Sequence, residues 1–260
     1  MYTTDTEIIR VCTPKLLPKA RVAEADLRAF EINPANRPKT TPGAGGGKER
    51  LVVDRRVYWG KQGVRLTVGF LDCHDKALQR RILEHMNAWN ETANVEFVFS
   101  ETDPQVRIAR LDSPPEMSGY WSYLGTDILS FGPDEPTMNL EGFTMNTSEA
   151  EFRRVVRHET GHTLGFPHEH MRKELIARLD PKKVIPAYMK SQDWTEQDVI
   201  AQILTPIEDS SVFGSTEPDA RSIMCYQIPG SLTFDGKPII GGKDIDPTDR
   251  KIAAILYPKA

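Results

Sequence analysis

Four of the six histidines of this 260-residue chain lie between residues 158 and 170, in the stretch HETGHTLGFPHEH. Residues four apart on an α-helix share one face, so a helix here would project His158 and His162 together, one turn apart. Two imidazoles so placed can bind one zinc ion at about 2.0–2.1 Å. Glu159 would point to the side of the pair, where it can reach a water on the metal but not the metal itself. The cluster therefore predicts a helix that carries two zinc ligands and a base.

A third histidine can join the pair only if this helix ends. A helix continued from His162 to His168 would carry the second residue about 9 Å along the axis. Gly165 can adopt a positive φ and end the helix in a tight turn, and Pro167 disfavours its continuation. The chain can then return His168 to the same metal. Three protein ligands with one open position are typical of catalytic zinc, whereas structural zinc sites have four ligands.

The remaining histidines have simpler interpretations. His85 lies on the apolar face of a predicted helix and is interpreted as a core residue, and His74 receives no role in the site. His170 is next to the cluster and is predicted to lie just outside the metal ligands or to be exposed. The sequence thus assigns three of the six histidines to the metal.

The three cysteines are an odd number in a long chain, which argues against a disulfide framework. Cys225 is interpreted as a small buried residue, because the ligand set is complete without it. Cys12 has two interpretations. It is either an ordinary N-terminal residue or a thiolate that blocks the zinc in a latent enzyme.

Composition limits the function class. The chain has 33 Lys and Arg against 37 Asp and Glu, a formal charge of −4 with the two signs interspersed, so we expect neither nucleic acid nor an anionic membrane as a partner. The sequence contains no run of 18 apolar residues, so it predicts no transmembrane helix. The first 22 residues lack the continuous apolar segment of a secretory signal. We expect a cytoplasmic protein, one exported by a non-classical route, or one supplied without its signal.

The chain divides near residue 50. Residues 1–50 are predicted to be an N-terminal extension or pro-segment, with a short helix at 24–30 and a Pro/Gly-rich linker from Pro34 to Gly47. Residues 51–260 are predicted to form one packed domain. Alternating apolar residues predict strands, and an apolar stripe and cap signals predict helices. The predicted strands are at 64–70, 95–99 and 106–108, and the predicted helices are at 75–90 and after Ser148, Asp180, Thr195 and Asp246. Strands lead and helices follow, so the fold class is α+β.

Three motifs together resemble the astacin family of zinc endopeptidases, within the metzincin clan. The stretch from His158 to Glu169 fits H-E-x-x-H-x-x-G-F-x-H-E. Residues 222–226, SIMCY, resemble the Met-turn of that family, and residues 121–125, WSYLG, are similar to its W-S-Y-V-G segment. The matches occur in the family's order and cover residues from about 50 to 260.

The resemblance implies a two-subdomain zincin-like protease. An upper subdomain, 51–168, would hold a twisted mixed sheet and the active-site helix, an irregular lower subdomain would span 169–260, and one Zn²⁺ would lie in the cleft between them. By the family's pattern, Met224 underlies the metal as an apolar base. Tyr226 is an additional zinc ligand that can swing away and stabilise an oxyanion. An edge strand near 137–140 would pair with an extended peptide or protein substrate.

This sequence departs from the family's pattern at two places. Tyr120 stands where those enzymes usually have a disulfide-forming cysteine. In the family, Glu169 often meets an amino terminus freed by propeptide removal, whereas residues 1–50 precede the domain here.

The sequence therefore predicts a zinc-dependent endopeptidase, in which a metal-activated water attacks the peptide bond and Glu159 is the general base. Two alternatives stay open: a non-catalytic, zinc-bearing peptide-binding module, and a latent zymogen held by the N-terminal segment.

Overall fold

The computed structural model describes residues 12–13, 15–37, 52–207, 212–214 and 218–259. Most of the predicted Pro/Gly-rich linker lies outside these residues. The strands are β1 (Val52–Asp54), β2 (Val64–Phe70), β3 (Val95–Phe99), β4 (Val106–Ala109), β5 (Tyr120–Ser122), β6 (Met138–Leu140) and β7 (Val212–Gly214). The helices are α1 (Lys19–Ile32), α2 (Lys76–Met86), α3 (Glu149–Glu151), α4 (Arg157–Thr163), α5 (Lys173–Ile176), α6 (Pro181–Gln192), α7 (Glu196–Val199) and α8 (Pro247–Leu256). Mixed α and β structure confirms the predicted fold class.

A five-stranded sheet in the order β3-β2-β4-β6-β5 forms the upper part of the molecule. Strands β3, β2, β4 and β6 run parallel, and β5 pairs antiparallel with β6. Val64, Leu66 and Val68 alternate with more exposed residues, so β2 buries one face as its sequence predicts. The expectation of an edge strand near 137–140 is wrong, because β6 lies between β4 and β5. The edge strand beside the cleft is β5, which contains Trp121.

The predicted helix starts are present with their caps. The Asp75 side chain accepts hydrogen bonds at the start of α2, and Thr195 and Asp246 each form a reciprocal capping box at the starts of α7 and α8. At the start of α3 the Ser148 hydroxyl accepts from the Glu151 amide at 3.2 Å. The Glu151 carboxylate binds Arg154 instead of completing the predicted box, with 3.0 Å between Oε2 and Nε.

The active-site helix is a continuous run that changes its winding. After α3, residues Phe152–Val156 form a π-helical turn, and α4 follows directly. Phe152, Val155 and Val156 are all buried in this turn, so it packs the helix against the sheet. A π-turn of this kind is uncommon and is often found at functional sites. It sets the direction in which α4 presents the histidines.

Two apolar clusters hold the molecule together. The upper core joins the sheet, α2 and the active-site helix, and the lower core joins α6, α7 and the chain around residues 225–239. Helix α8 belongs to the upper core through Ile252, Ala253 and Leu256, although it lies in the C-terminal part predicted as lower subdomain. The predicted boundaries at 51–168 and 169–260 otherwise stay predictions. No helix among the described residues is long and apolar enough to cross a bilayer.

Helix α1, which contains the predicted helix at 24–30, is tied to the domain by charged contacts. Arg21 donates to both carboxylate oxygens of Glu135, at 2.9 and 2.8 Å. Arg56 lies 3.3 Å from Asp26 and 2.5 Å from Asp127, which joins α1 to the body of the domain. The helix therefore fixes the direction in which the described residues before it, 12–13 and 15–18, approach the cleft.

Candidate metal centre and active site

The three predicted histidines meet at one point. His158 and His162 project from one face of α4, and Gly165, with φ of 92°, ends the helix as its sequence predicts. The Nε2 atom of His168 lies 3.0 Å from Nε2 of His158 and 3.1 Å from Nε2 of His162. All three side chains are buried, with at most 7% exposed.

The protonation of these rings suits a cation between them. Nδ1 of His158 lies 2.6 Å from the Ile223 carbonyl oxygen, and Nδ1 of His162 lies 2.7 Å from that of Phe166. Carbonyl oxygens only accept, so each Nδ1 carries the hydrogen and each Nε2 presents a lone pair. Lone pairs about 3 Å apart cannot bond one another, whereas ligands of a tetrahedral zinc at 2.0–2.1 Å lie at about this separation. Burial lowers the pKa of all three histidines, which favours the neutral, ligating form.

Cys12 lies at the fourth side of this cluster. Its Sγ is 3.4 Å from Nε2 of His162, and the four donor atoms of Cys12, His158, His162 and His168 lie within 4.8 Å of one another. The interpretation of Cys12 as an ordinary N-terminal residue is therefore wrong. Three histidines and one cysteine could together fill all four positions around a tetrahedral metal ion, which would leave no open position of the kind that catalysis needs.

The same residue contacts the predicted base. The Cys12 thiol donates to Oε2 of Glu159 at 3.4 Å. Glu159 is 1% exposed, and burial raises the pKa of its carboxyl to about 8. The predicted base thus lies beside the metal cluster, and the N-terminal segment covers it.

Tyr226 also contacts Cys12. Its hydroxyl donates a hydrogen bond to the backbone carbonyl of Cys12, and its ring lies 4.4 Å from that of His168, centroid to centroid. Tyr226 is thus beside the cluster, with its hydroxyl turned to the N-terminal segment. Its role as a zinc ligand stays a prediction.

Met224 packs against α4 at Gly161, between His158 and His162 in the chain, and its role beneath a metal stays a prediction. It is fully buried, and a Cβ atom built on Gly161 of α4 would lie well inside van der Waals contact with its Sδ. Only glycine at this position lets the Met-turn approach the helix so closely. The turn is held on its other side by Asp249, whose Oδ2 accepts from the Ile223 amide at 2.8 Å.

More than half of the chain matches a known family. The sequence profile described as Astacin, a peptidase family, matches residues 53–228. This chain belongs to the astacin family. The relatives that it matches include a zinc metalloproteinase, and a peptidase family acts on proteins and peptides.

Individual relatives agree with this assignment. The zinc metalloproteinase nas-27 of Caenorhabditis elegans is 33% identical over 111 residues, which cover 42% of this chain and 23% of that protein. The chain therefore spans less than a quarter of this curated relative. The solved structure of myroilysin is 31% identical, with a TM-score of 0.73, and the match covers 80% of this chain and 99% of that one. A hatching enzyme zinc-protease of the medaka fish Oryzias latipes shares the fold, with 20% identity, a TM-score of 0.51, and coverage of 78% of this chain and 96% of that chain.

A pocket opens beside the histidine cluster. It lies between the active-site helix and the Met-turn, and Cys12 forms part of its wall. Arg154, one turn before His158, lines it; its guanidinium bonds the Glu151 carboxylate, and its charge acts against the burial that raises the pKa of Glu159. Nothing in the sequence singles out Arg154, because a basic residue on a helix is usually solvated.

Glu169, which follows the third histidine, lies on the other side of the Met-turn. It is fully buried, its Oε1 accepts from the Asp219 amide at 3.1 Å, and its Oε2 has no partner among the residues that the structure describes. Burial raises the pKa of this carboxyl to about 8. A contact with a freed amino terminus, as the family's pattern implies, stays untested in this chain.

Sequence reasoning missed two supporting residues, Gly161 and Asp249, which act through the Met-turn. It predicted His170 just outside the ligands or exposed but missed that this residue, which is fully buried, packs against Tyr226. Spacing does not mark these contacts, since each joins residues that are far apart in the chain. The core assignments of His85 and Cys225 are confirmed, with 6% and 3% exposed.

Proposed function

We propose that this astacin-family chain hydrolyses peptide bonds with one zinc ion held by His158, His162 and His168, with Glu159 as general base. The observation that carries the proposal is the meeting of three Nε2 atoms, with contacts of 3.0 and 3.1 Å, beside the buried Glu159 carboxylate. Zinc, when bound there, supplies a Lewis acid that polarises the scissile carbonyl and lowers the pKa of a water molecule.

The residues of the chain supply the proton transfers and the charge stabilisation. Glu159 accepts the proton of the attacking water and passes it to the leaving amine. While Cys12 covers it, burial raises the pKa of the Glu159 carboxyl to about 8. Tyr226, once its hydroxyl leaves the Cys12 carbonyl, donates to the carbonyl oxygen of the substrate as negative charge develops there.

The substrate is proposed to bind in extended form along β5. Cys12 forms a parallel bridge with Tyr120, and the Thr13 amide donates to the Tyr120 carbonyl oxygen at 2.9 Å. This edge therefore already accepts an extended chain by strand addition. A substrate peptide can use the same backbone groups when the N-terminal segment has left.

The test compares a Cys12→Ser chain, in which the thiol no longer blocks the site, with the same chain carrying Glu159→Gln, which keeps the size and the hydrogen-bonding shape of the side chain. We expect both proteins to contain one zinc by elemental analysis. Cleavage of unfolded casein should fall by roughly 10²–10⁴-fold in the Glu159→Gln protein and should stop with 1,10-phenanthroline in the Cys12→Ser parent. Near-equal cleavage by the two proteins would exclude Glu159 as the base. Zinc without cleavage in both proteins, even after removal of the N-terminal segment, would favour a peptide-binding module.

We further propose that residues 12–13 hold the enzyme in a latent form. One residue makes three contacts that each disable a different part: its thiol lies at the metal position and on Glu159, and its carbonyl holds the Tyr226 hydroxyl. Burial raises the pKa of the thiol, so a metal ion rather than solvent would favour its ionised form.

Latency is tested by opening the cleft in two ways. Cys12→Ser removes the thiol, and a chain that begins near residue 51 removes the whole segment. Casein cleavage should rise in both, and more in the truncated chain, because the serine variant keeps the backbone contacts of residues 12–13. Cys73→Ser is the matched control, since this buried thiol contacts Asp75 and lies outside the cleft. Equal activity in wild type and truncated chain would refute latency.

A further inference from the structure

The buried imidazole of His170 lies face to face with the Tyr226 ring. The ring centroids are 3.9 Å apart, and the planes differ by 22°. His170 is fully buried, although it carries two polar nitrogens and has no part in the mechanism proposed for the site. Its donor atoms are not among the four that could share a metal. Two ring contacts link His170 to the active site: the close one with Tyr226, and a looser one with His168, whose ring centroid lies 5.0 Å away.

The orientation of His170 is fixed by backbone contacts. Its Nε2 lies 3.0 Å from the carbonyl oxygen of Gln202, which can only accept, so Nε2 carries the hydrogen and the ring plane is set. The chain on either side is tied down as well. The Glu169 amide donates to the Met224 carbonyl oxygen at 2.9 Å, and the Ile207 amide donates to that of Met171 at 3.0 Å. These hydrogen bonds therefore fix the position and the orientation of the imidazole.

The fixed imidazole of His170 limits how the Tyr226 ring can move. Stacked rings at this distance are in van der Waals contact, so the phenol cannot tilt toward His170. The His168 ring contacts it at an interplanar angle of 60°, and its hydroxyl faces the Cys12 carbonyl in the cleft. The motion left to the ring is a slide along the imidazole face, which keeps the hydroxyl on the cleft side.

We propose that His170 is a positioning residue for Tyr226: its flat face holds the phenol so that the hydroxyl points to the reacting carbonyl oxygen. The inference rests on the role proposed above for Tyr226 as a hydrogen-bond donor to that oxygen. His170 itself touches neither the metal nor the substrate. Its effect should therefore appear in kcat, where an oxyanion contact acts, and should depend on the Tyr226 hydroxyl.

The test uses two variants of similar size, made in the full chain with Cys12→Ser so that the cleft is accessible. His170→Phe keeps a flat ring against Tyr226, whereas His170→Leu fills the space without one. We expect His170→Leu to lower kcat roughly tenfold, with KM and zinc content unchanged, and His170→Phe to lower it less than about threefold. Unfolding midpoints of both variants establish that they are folded.

A second background separates positioning from packing. Tyr226→Phe keeps the ring and removes the hydroxyl, and we expect it to lower kcat by about 10²-fold. In that background, exchanging His170 for Leu should change kcat no further, because no hydroxyl is left to position. An equal loss in both backgrounds, a loss that follows zinc content, or full activity of His170→Leu would overturn the inference. If Tyr226→Phe itself is fully active, the role proposed for Tyr226 fails, and this inference falls with it.

Discussion

The metal cluster has two halves that the chain builds in different ways. The three histidines come from one short stretch, His158–His168. They reach one point because α4 aligns the first two and the turn at Gly165 returns the third. Cys12 reaches the same point from 150 residues away, through the packing of the N-terminal segment. The local half is built into the backbone, whereas the distant half is held by contacts that can be broken. That difference separates a permanent ligand from a removable one.

The largest expected effect is on zinc affinity, when one proposed ligand is removed from either half of the cluster. His162→Ala should lower zinc affinity more than about 100-fold, because it leaves an incomplete set of local ligands. Cys12→Ser should lower it much less, since the three histidines stay in place. Zinc affinity measured by competition with a chelator gives both values. Equal losses in the two variants would mean that Cys12 is as permanent a ligand as His162.

A smaller effect should follow from filling the gap between α4 and the Met-turn. Gly161→Ala places a Cβ atom against the buried Met224 Sδ, well inside van der Waals contact, and the sulfur has little room to move. We expect the free energy of unfolding to fall by about 2 kcal/mol, although alanine usually favours a helix over glycine.

Gly132→Ala is the control for that variant, since the added Cβ would meet only Glu135, at 3.5 Å. It should be neutral in the same denaturant titration. A stable Gly161→Ala protein with normal zinc content would show that the local half does not depend on this close approach.

Asp249, which is far from the histidines in the chain, supports the Met-turn beside them. Its contribution can be tested through the pH dependence of stability. Burial raises the pKa of Asp249 to about 7, above its unfolded value of 3.8. The folded protein therefore binds an extra proton between these values, and this contribution to stability is lost as the pH rises toward and through 7. Asp249→Asn keeps an acceptor for the Ile223 amide and removes the titration.

We expect the stability of the wild type, relative to Asp249→Asn, to fall by about 2–3 kcal/mol between pH 5 and pH 8. Unfolding midpoints of the two zinc-loaded proteins across this range provide the measurement. The pH dependence of zinc binding is common to both proteins and cancels in the difference. Parallel curves would contradict the raised pKa.

The smallest expected effect is on casein cleavage, when the attachment of α1 is weakened by a substitution outside the cleft. Arg21→Ala removes the paired hydrogen bonds that tie α1 to Glu135, but both side chains are partly exposed, so the contribution is small. Casein cleavage should rise roughly two- to fivefold if the segment holds the enzyme latent. Arg65→Ala, which breaks an exposed pair with Glu96 on the sheet, is the control and should leave cleavage unchanged.

The same contrast explains what the sequence can predict. The strand from Val64 to Phe70, the caps of the helices and the histidine cluster depend on residues close in sequence, and all are present in the structure. The order of the strands is not written in any one of them. The segment 137–140 has the same alternation whether it is an edge or an inner strand, and for this reason its inner position does not follow from the sequence.

Contacts between distant residues limit the prediction of the site. Cys12 has no neighbouring feature to indicate that its thiol lies 3.4 Å from His162. For His170 the sequence predicts a place just outside the ligands or an exposed one, and the first of these is correct. Its stacking on Tyr226 depends on two chain segments that meet only in the folded lower core.

The bridge between Cys12 and Tyr120 also bears on how the molecule behaves in a concentrated solution. An edge strand such as β5 offers unpaired amides and carbonyls to any extended chain, including a second sheet, and exposed edges of this kind promote aggregation. The N-terminal residues occupy part of that edge. While residues 12–13 stay in place, this part of β5 is not available to pair with a second sheet. Removal of the N-terminal segment would open the cleft to substrates. It would also expose the β5 edge, through which two copies of the chain could associate.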